Sequence, residues 1–163
     1  MNIIIKNHLL LYRGYKIKCS IGKLGLTNAK NEGDLTTPKG LFKIGCLYYR
    51  EDRIKSLNCK IKKKVIKENM GWCDDPKSKN YNKEVKLPFS FRTEKLFRKN
   101  RIYDLLINIK YNQNPIRKKK GSAIFLHLTN SKYLSTKGCV AILRKDFLKI
   151  LPLITSKTKI LIN

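Results

Sequence analysis

Apolar residues along this chain fall in short runs and alternations separated by Gly, Pro, Asn and charged residues. Ile3-Ile4-Ile5 and Leu9-Leu10-Leu11 predict two short strands with a turn near Lys6-Asn7-His8. Tyr15-Lys16-Ile17-Lys18-Cys19 alternates and predicts a third, with Gly14, Gly22 and Gly25 as punctuation. A polar loop follows over Asn28 to Asp34, and Thr37-Pro38-Lys39-Gly40 predicts a turn. Leu41 to Tyr49 reads as a strand buried on both faces. Residues 50–100 are the least regular: Gly71-Trp72-Cys73-Asp74-Asp75-Pro76 reads as a compact loop and Glu94 to Arg98 as a short helical turn. Apolar, β-rich residues predict strands at Ile102 to Tyr111 and Ser122 to Leu128, with loops over 112–121 and Thr129 to Gly138. Leu143 to Leu151 has helical spacing, closed by Pro152, and Lys159 to Ile162 predicts a final strand. Strands outnumber helices, and no linker or repeat divides the chain. The expectation is a mostly β protein (α+β minor), one domain over residues 1–163, with one or two short helices. No apolar run approaches the roughly 20 residues of a membrane-spanning helix.

Composition adds a formal net charge of +26, from 37 Lys and Arg against 11 Asp and Glu. A charge of this size suggests polyanionic partners, either nucleic acid or an anionic envelope surface. Its make-up argues against specific nucleic-acid reading. Lysine supplies 29 of the 37 cations, whereas bidentate base and phosphate readout favours arginine. The densest clusters, Lys60 to Lys67 and Arg117 to Lys120, carry no aromatics spaced for base stacking, and no zinc-finger spacing is present. Abundant Lys, Ile and Asn fit the coding bias of an AT-rich genome. The apolar stretches near the start are interrupted by Lys6, Asn7, His8 and Arg13, and no small-residue cleavage site follows, so no signal peptide is visible.

Cysteine count and spacing set the candidate chemistry. Five cysteines (Cys19, Cys46, Cys59, Cys73, Cys139) contain no CxxC, so neither a zinc site nor a disulfide framework is signalled. Cys139 differs from the others in following Lys137-Gly138. A glycine there lets the backbone turn sharply and leaves room for a carbonyl beside the sulfur, and the lysine adds charge that favours a thiolate. His127 ends a predicted strand, and a loop of 11 residues separates it from Cys139. The chain's other histidine, His8, lies in a predicted turn, which leaves His127 as the natural base. Cys73 is poorly placed as a nucleophile, because Asp74 and Asp75 beside it disfavour a thiolate. Spacing alone leaves a Cys–His pair open to a purely structural reading.

His127 followed by Ser135-Thr136-Lys137-Gly138-Cys139-Val140-Ala141 resembles the signature of the YkuD-type L,D-transpeptidase catalytic domain. Thr37-Pro38-Lys39-Gly40-Leu41-Phe42 resembles that family's Thr-Pro-x-Gly-x-Phe loop. Further matches to a compact bacterial branch run through Gly33-Asp34, Tyr49 to Arg53, Gly71 to Pro76, Tyr81-Asn82, Glu94 to Arg98, Tyr103-Asp104, Tyr111-Asn112 and Gly121 to His127. The resemblance implies a β-sandwich or barrel-like catalytic fold and a cysteine acyltransferase that crosslinks peptidoglycan. Cys139 would attack the carbonyl at the L-centre of diaminopimelate in a stem tetrapeptide, His127 would carry the proton, and backbone N–H groups near Gly138 and Cys139 would hold the oxyanion. It implies no metal and no organic cofactor, a monomer, and a place in the periplasm or cell envelope. Water as acceptor would make the protein an L,D-carboxypeptidase of the same fold; a basic nucleic-acid-binding protein is the remaining alternative. Thr136 orients His127 or the loop, or is a plain loop hydroxyl. Arg98 holds a substrate carboxylate or is a surface residue. Asp74 and Asp75 take the diaminopimelate amine, or Asp74 caps the turn before Pro76. Trp72 is core or pocket wall. Two departures stand beside the nucleophile: Lys137 replaces the family's usual second histidine and Ala141 its usual Asn or Arg.

Overall fold

A computed structural model describes all residues 1–163. The strands are β1 (Ile3–Lys6), β2 (Leu9–Tyr12), β3 (Tyr15–Lys18), β4 (Leu26–Thr27), β5 (Thr37–Pro38), β6 (Gly40–Tyr49), β7 (Lys63–Val65), β8 (Met70–Cys73), β9 (Glu84–Lys86), β10 (Thr93–Lys95), β11 (Leu105–Ile109), β12 (Phe125–Thr129), β13 (Val140–Leu143) and β14 (Lys159–Ile162). One α-helix, α1 (Arg144–Ile150), continues into a 3₁₀ turn, Leu151–Leu153. The main sheet runs β13-β12-β11-β6-β14-β1-β2-β3, with β7 added to β6. Past β3 the chain returns to the opposite edge: Ser20 N–H donates to the Ala141 carbonyl at 2.8 Å and Ala141 N–H to that of Ser20 at 2.9 Å. The sheet therefore nearly closes on itself, the mostly β, barrel-like form expected. β10-β8-β9 form a separate three-stranded sheet, and β4 and β5 pair alone.

Local chemistry explains the first hairpin. Asn7 and His8 both take positive φ (49° and 60°), the conformation a two-residue turn between twisted strands needs. Elsewhere tertiary contacts overrule the local reading. Gly71 to Cys73 lie in β8, whose four residues are all buried, and not in a loop. Gly71 is there because β10 comes close: a Cβ on it would sit 2.3 Å from Thr93 Cγ2. Glu94 and Lys95 are strand and not helical turn, since they pair with Trp72 and Gly71. Thr37-Pro38 pair with Leu26-Thr27 and do not form a turn. In β6 the first half faces water on alternate residues, with Leu41 50% exposed, so burial on both faces fails there. Ile102 to Asp104, Lys110-Tyr111 and Ser122 to Ile124, expected as strand, lie outside β11 and β12. α1 ends at Ile150, just before Pro152, and the chain goes on as a 3₁₀ turn whose start accepts the proline, because its missing N–H costs nothing there.

Two apolar clusters lie on opposite faces of the main sheet. The larger has 25 buried residues, mostly Ile and Leu, from β1–β3, β11–β14 and α1. The smaller has eight, four of them aromatic: Tyr48, Trp72, Tyr103 and Phe125 beside Ile66, Met70, Leu96 and Leu106. β8, β10 and the irregular chain over 96–104 cover this second face.

Candidate active site

β12 and β13 run parallel, with Leu126 opposite Val140 and His127 opposite Ala141. Strand alternation sends Leu126, Leu128, Val140 and Ile142 into the larger core, and Phe125 and Cys139 toward the smaller one. His127 shares the face of Phe125, and its ring stands edge-on to that of Tyr103 at 5.2 Å. Cys139 directly precedes β13, so it is a diagonal neighbour of His127 on one face. No hydrogen bond joins the two. The Cys139 thiol donates to the Ala123 carbonyl at 3.2 Å and receives the Phe125 N–H at 3.4 Å.

His127 is buried, and its Nδ1 lies 2.9 Å from the Leu128 carbonyl. A carbonyl only accepts, so Nδ1 carries the proton and Nε2 keeps its lone pair. Burial lowers the imidazole pKa from 6.5 to about 4, against the opposing pull of the Leu128 carbonyl. Burial likewise pushes the Cys139 thiol up to about 12, although the Phe125 N–H works the other way. At neutral pH the resting pair is thus a neutral thiol and a neutral imidazole.

The turn that presents Cys139 is held by Thr136. Its hydroxyl donates to the Cys139 carbonyl at 2.6 Å and accepts the Gly138 N–H at 3.1 Å. Thr136 therefore orients the loop and not His127. It also takes the Gly138 N–H, leaving that of Cys139 as the donor without a partner in the protein. Gly138 has φ +145°, and a Cβ there would meet the Thr36 carbonyl at 2.8 Å, so both conformation and space require glycine.

Lys137, by contrast, is exposed. The cations acting most on the thiol are Lys30 and Arg98. Lys30 is 5% exposed, and its stem packs between Gly121 and Gly138. Its ammonium pairs with Asp34 and the Asn31 carbonyl. Desolvation opposes ionisation of Asp34, yet the Asn31 N–H, Lys30 and Thr36 together hold its carboxyl down to about 2. Arg98 pairs with Glu94 and lies over the Tyr103 ring at 4.7 Å; Tyr103 Oη donates to Glu94 at 3.1 Å. Trp72 belongs to the core of the smaller cluster: buried, edge-on to Phe125 at 5.2 Å, and donating Nε1–H to Asn82 Oδ1 at 3.0 Å. The same Asn82 oxygen accepts the Ala123 N–H at 3.1 Å, which ties Trp72 to the carbonyl that holds the thiol. Asp74 and Asp75 are committed elsewhere. Asp74 pairs with Arg92 at 3.1 Å, and Asp75, not Asp74, caps the turn through the Lys77 N–H at 3.0 Å.

Cys139, His127, Gly138, Thr136 and Arg98 are thus brought together, with Trp72 behind them, whereas Lys137, Asp74 and Asp75 stand apart. Sequence reasoning missed Lys30, Asn82, Glu94 and Tyr103 as site residues. Nothing distinguishes Lys30 among 29 lysines before the fold buries it. Asn82 shows its role only through the four groups it bonds, the other two being the Tyr111 and Asn112 carbonyls.

Comparison with curated proteins and with solved structures gave no match. The family model of the L,D-transpeptidase catalytic domain matches residues 3–162, nearly the whole chain, with the His127 and Cys139 strands inside the match. The chain therefore belongs to the YkuD family of L,D-transpeptidase catalytic domains.

Proposed function

We propose that the protein is a cysteine acyltransferase of the cell envelope that crosslinks peptidoglycan stem peptides, with Cys139 as nucleophile and His127 as base. One observation carries the reading. Cys139 directly precedes the strand paired with β12, on the face of His127, whose Nδ1 is locked on the Leu128 carbonyl and whose Nε2 makes no hydrogen bond within the protein. Family membership supports the substrate class.

The chemistry follows from these positions. His127 Nε2 takes the thiol proton as Cys139 Sγ bonds to the carbonyl carbon at the L-centre of diaminopimelate. The Cys139 N–H stabilises the oxyanion. The C–N bond to the terminal D-alanine breaks, and His127 returns the proton to the departing amine. A second stem's amine then attacks the thioester, loses its proton to His127, and frees the sulfur, which is reprotonated. Both groups are neutral at rest, so the proton moves only once substrate is in place; the thiol must leave the Ala123 carbonyl for the imidazole.

Two measurements test this. Incubation with purified tetrapeptide is expected to give a Cys139 thioester by intact mass, with dimers as product; the adduct is lost in Cys139→Ala. An adduct that persists in Cys139→Ala would overturn the assignment, and trimmed monomers without dimers would make the protein an L,D-carboxypeptidase. The acid limb of kcat/KM is expected near pH 4, where buried His127 gains its proton, and not near 6.5.

A further inference from the structure

The irregular chain between β10 and β11 covers His127. Tyr103 stands edge-on to the His127 ring at 5.2 Å, and the Ile102 carbonyl accepts the Leu128 N–H at 3.0 Å. Backbone hydrogen bonds fix the two ends of this segment, Leu96 N–H to the Met70 carbonyl at 3.1 Å and Arg50 N–H to that of Asp104 at 3.0 Å. Between them three successive carbonyls are met by arginine side chains from just beyond β6. Arg50 Nη1 donates to the Arg98 carbonyl at 2.8 Å, Arg53 Nη2 to that of Lys99 at 3.1 Å, and Arg53 Nη1 to that of Asn100 at 3.2 Å. Arg50 also lies over the Phe97 ring at 3.5 Å. The two guanidiniums thus satisfy a stretch of backbone that a neighbouring strand would otherwise satisfy.

Both forks are fixed in turn. Arg50, 4% exposed, is held on Asp52 through Nε at 2.8 Å and Nη2 at 2.7 Å. Arg53 Nη1 is shared with Asp104 Oδ1 at 2.7 Å. Asp104 is 1% exposed, its Oδ2 makes no hydrogen bond, and Arg144 Nη1 lies 3.9 Å from that oxygen. A buried carboxylate satisfied on one side costs stability. Packing therefore gives no reason for Asp104, whereas aiming Arg53 at the segment over His127 does.

The charged and titratable neighbours of His127 are Cys139 from the turn before β13, Tyr103 and Arg98 from the segment itself, and Glu94 from β10, which pairs with Arg98. β11 presents Leu106. Burial lowers the imidazole pKa most, and the Arg98 cation adds to it, while the Leu128 and Ile102 carbonyls pull the other way. Lifting the segment would admit water and withdraw Arg98. Both favour protonation of the imidazole, against the smaller loss of the Ile102 carbonyl.

We propose that Arg50 and Arg53 are positioning residues for His127: they strap residues 97–104 over the imidazole and keep the base dry and unprotonated. Asp104 sets Arg53 for this task. The proposal rests on His127 as the base of the reading above and adds how its protonation is controlled.

The test needs no substrate. The His127 imidazole is titrated by NMR in the folded protein, with exposed His8, the chain's other histidine, as reference. In the wild type the His127 midpoint is expected near pH 4. Arg53→Met should move it up by about one pH unit or more, since partial exposure gives back part of the burial effect. Arg53→Lys should restore part of the difference. Ile160→Ala, which opens a cavity in the larger core, should leave the midpoint in place. Should Arg53→Met not fold, Arg53→Gln combined with Asp104→Asn removes the same ion pair without leaving a buried charge, and carries the same expectation. A wild-type midpoint near 6.5, an unmoved midpoint in the folded Arg53 variants, or an equal movement in Ile160→Ala overturns the assignment. The Cys139 adduct decides the acyltransferase reading separately, so the two failures are told apart.

Discussion

The two faces of the main sheet are built from the same strands and do different work. β12 shows the contrast within five residues: Leu126 and Leu128 enter the aliphatic cluster, while Phe125 and His127 face the aromatic one. The aliphatic face is closed by α1 and by the continuation of β3 onto Ala141, and its 25 residues include two aromatics, Tyr12 and Phe147. The other face is thinner. Its eight apolar residues adjoin Cys139 and His127, and side-chain hydrogen bonds accepted by Asn82 and Glu94 and donated by Thr136 complete it. The comparison teaches that stability and chemistry are divided by strand alternation. The continuous core on one side holds the backbone still, and the other side can then afford a buried imidazole and a half-buried thiol.

Adjacent substitutions should separate the two roles most clearly. Leu128→Ala is expected to cost about 2–5 kcal/mol in denaturant unfolding, with kcat per folded molecule retained. His127→Gln is expected to leave stability at pH 7 nearly unchanged and to lower kcat about 10²–10⁴-fold, the usual worth of a positioned base. A loss of activity from Leu128→Ala that exceeds its unfolded fraction would break the division.

The pH dependence of stability sharpens it. His127 has a folded pKa of about 4 against 6.5 ordinarily, so between these values the unfolded chain binds a proton that the folded one does not. Stability is then full above about pH 6.5 and falls as pH drops toward 4, by about 3 kcal/mol in all. His127→Gln should flatten this window. The thiol has the opposite sign: with its folded pKa raised from 9.0 to about 12, stability falls as pH rises above 9.

Asn82→Ala removes the shared acceptor of Trp72 Nε1–H and Ala123 N–H and is expected to cost about 1–3 kcal/mol, with slower acylation because the Ala123 carbonyl shifts. Lys30→Met should slow acylation on the order of tenfold, because it removes a nearby cation that favours the thiolate, seen as lower kcat/KM with the fold retained by circular dichroism. The smallest effect is expected at the exposed Lys64–Glu84 pair, where Lys64→Met should change stability by less than about 1 kcal/mol.

Much of the frame was legible in the chain itself. The β1–β2 hairpin, β3, β11, β14 and α1 follow from alternation, short apolar runs and turn residues, because those patterns decide local conformation wherever one face is buried. Cys139 after glycine and His127 as the strand histidine were legible too, since that chemistry needs particular residue types in sequence, although His127 stands in the middle of β12 and not at a strand end. Three things required the fold. The β8–β9–β10 sheet was hidden because Gly71 reads as a loop residue until β10 is packed on it at a distance no side chain permits. The charge acting on the nucleophile was misplaced: Lys137, its near neighbour in sequence, is exposed, whereas Lys30, more than a hundred residues away, is buried against Gly138. The protonation states of the pair were invisible as well, because they depend on how deeply each group is buried. Sequence by itself singled out the thiol and imidazole proposed to react and most of the strands that carry them. Tertiary structure alone decided which charges and hydrogen bonds surround those atoms, because electrostatic and desolvation terms act through space and burial, and neither follows the order of residues along the chain.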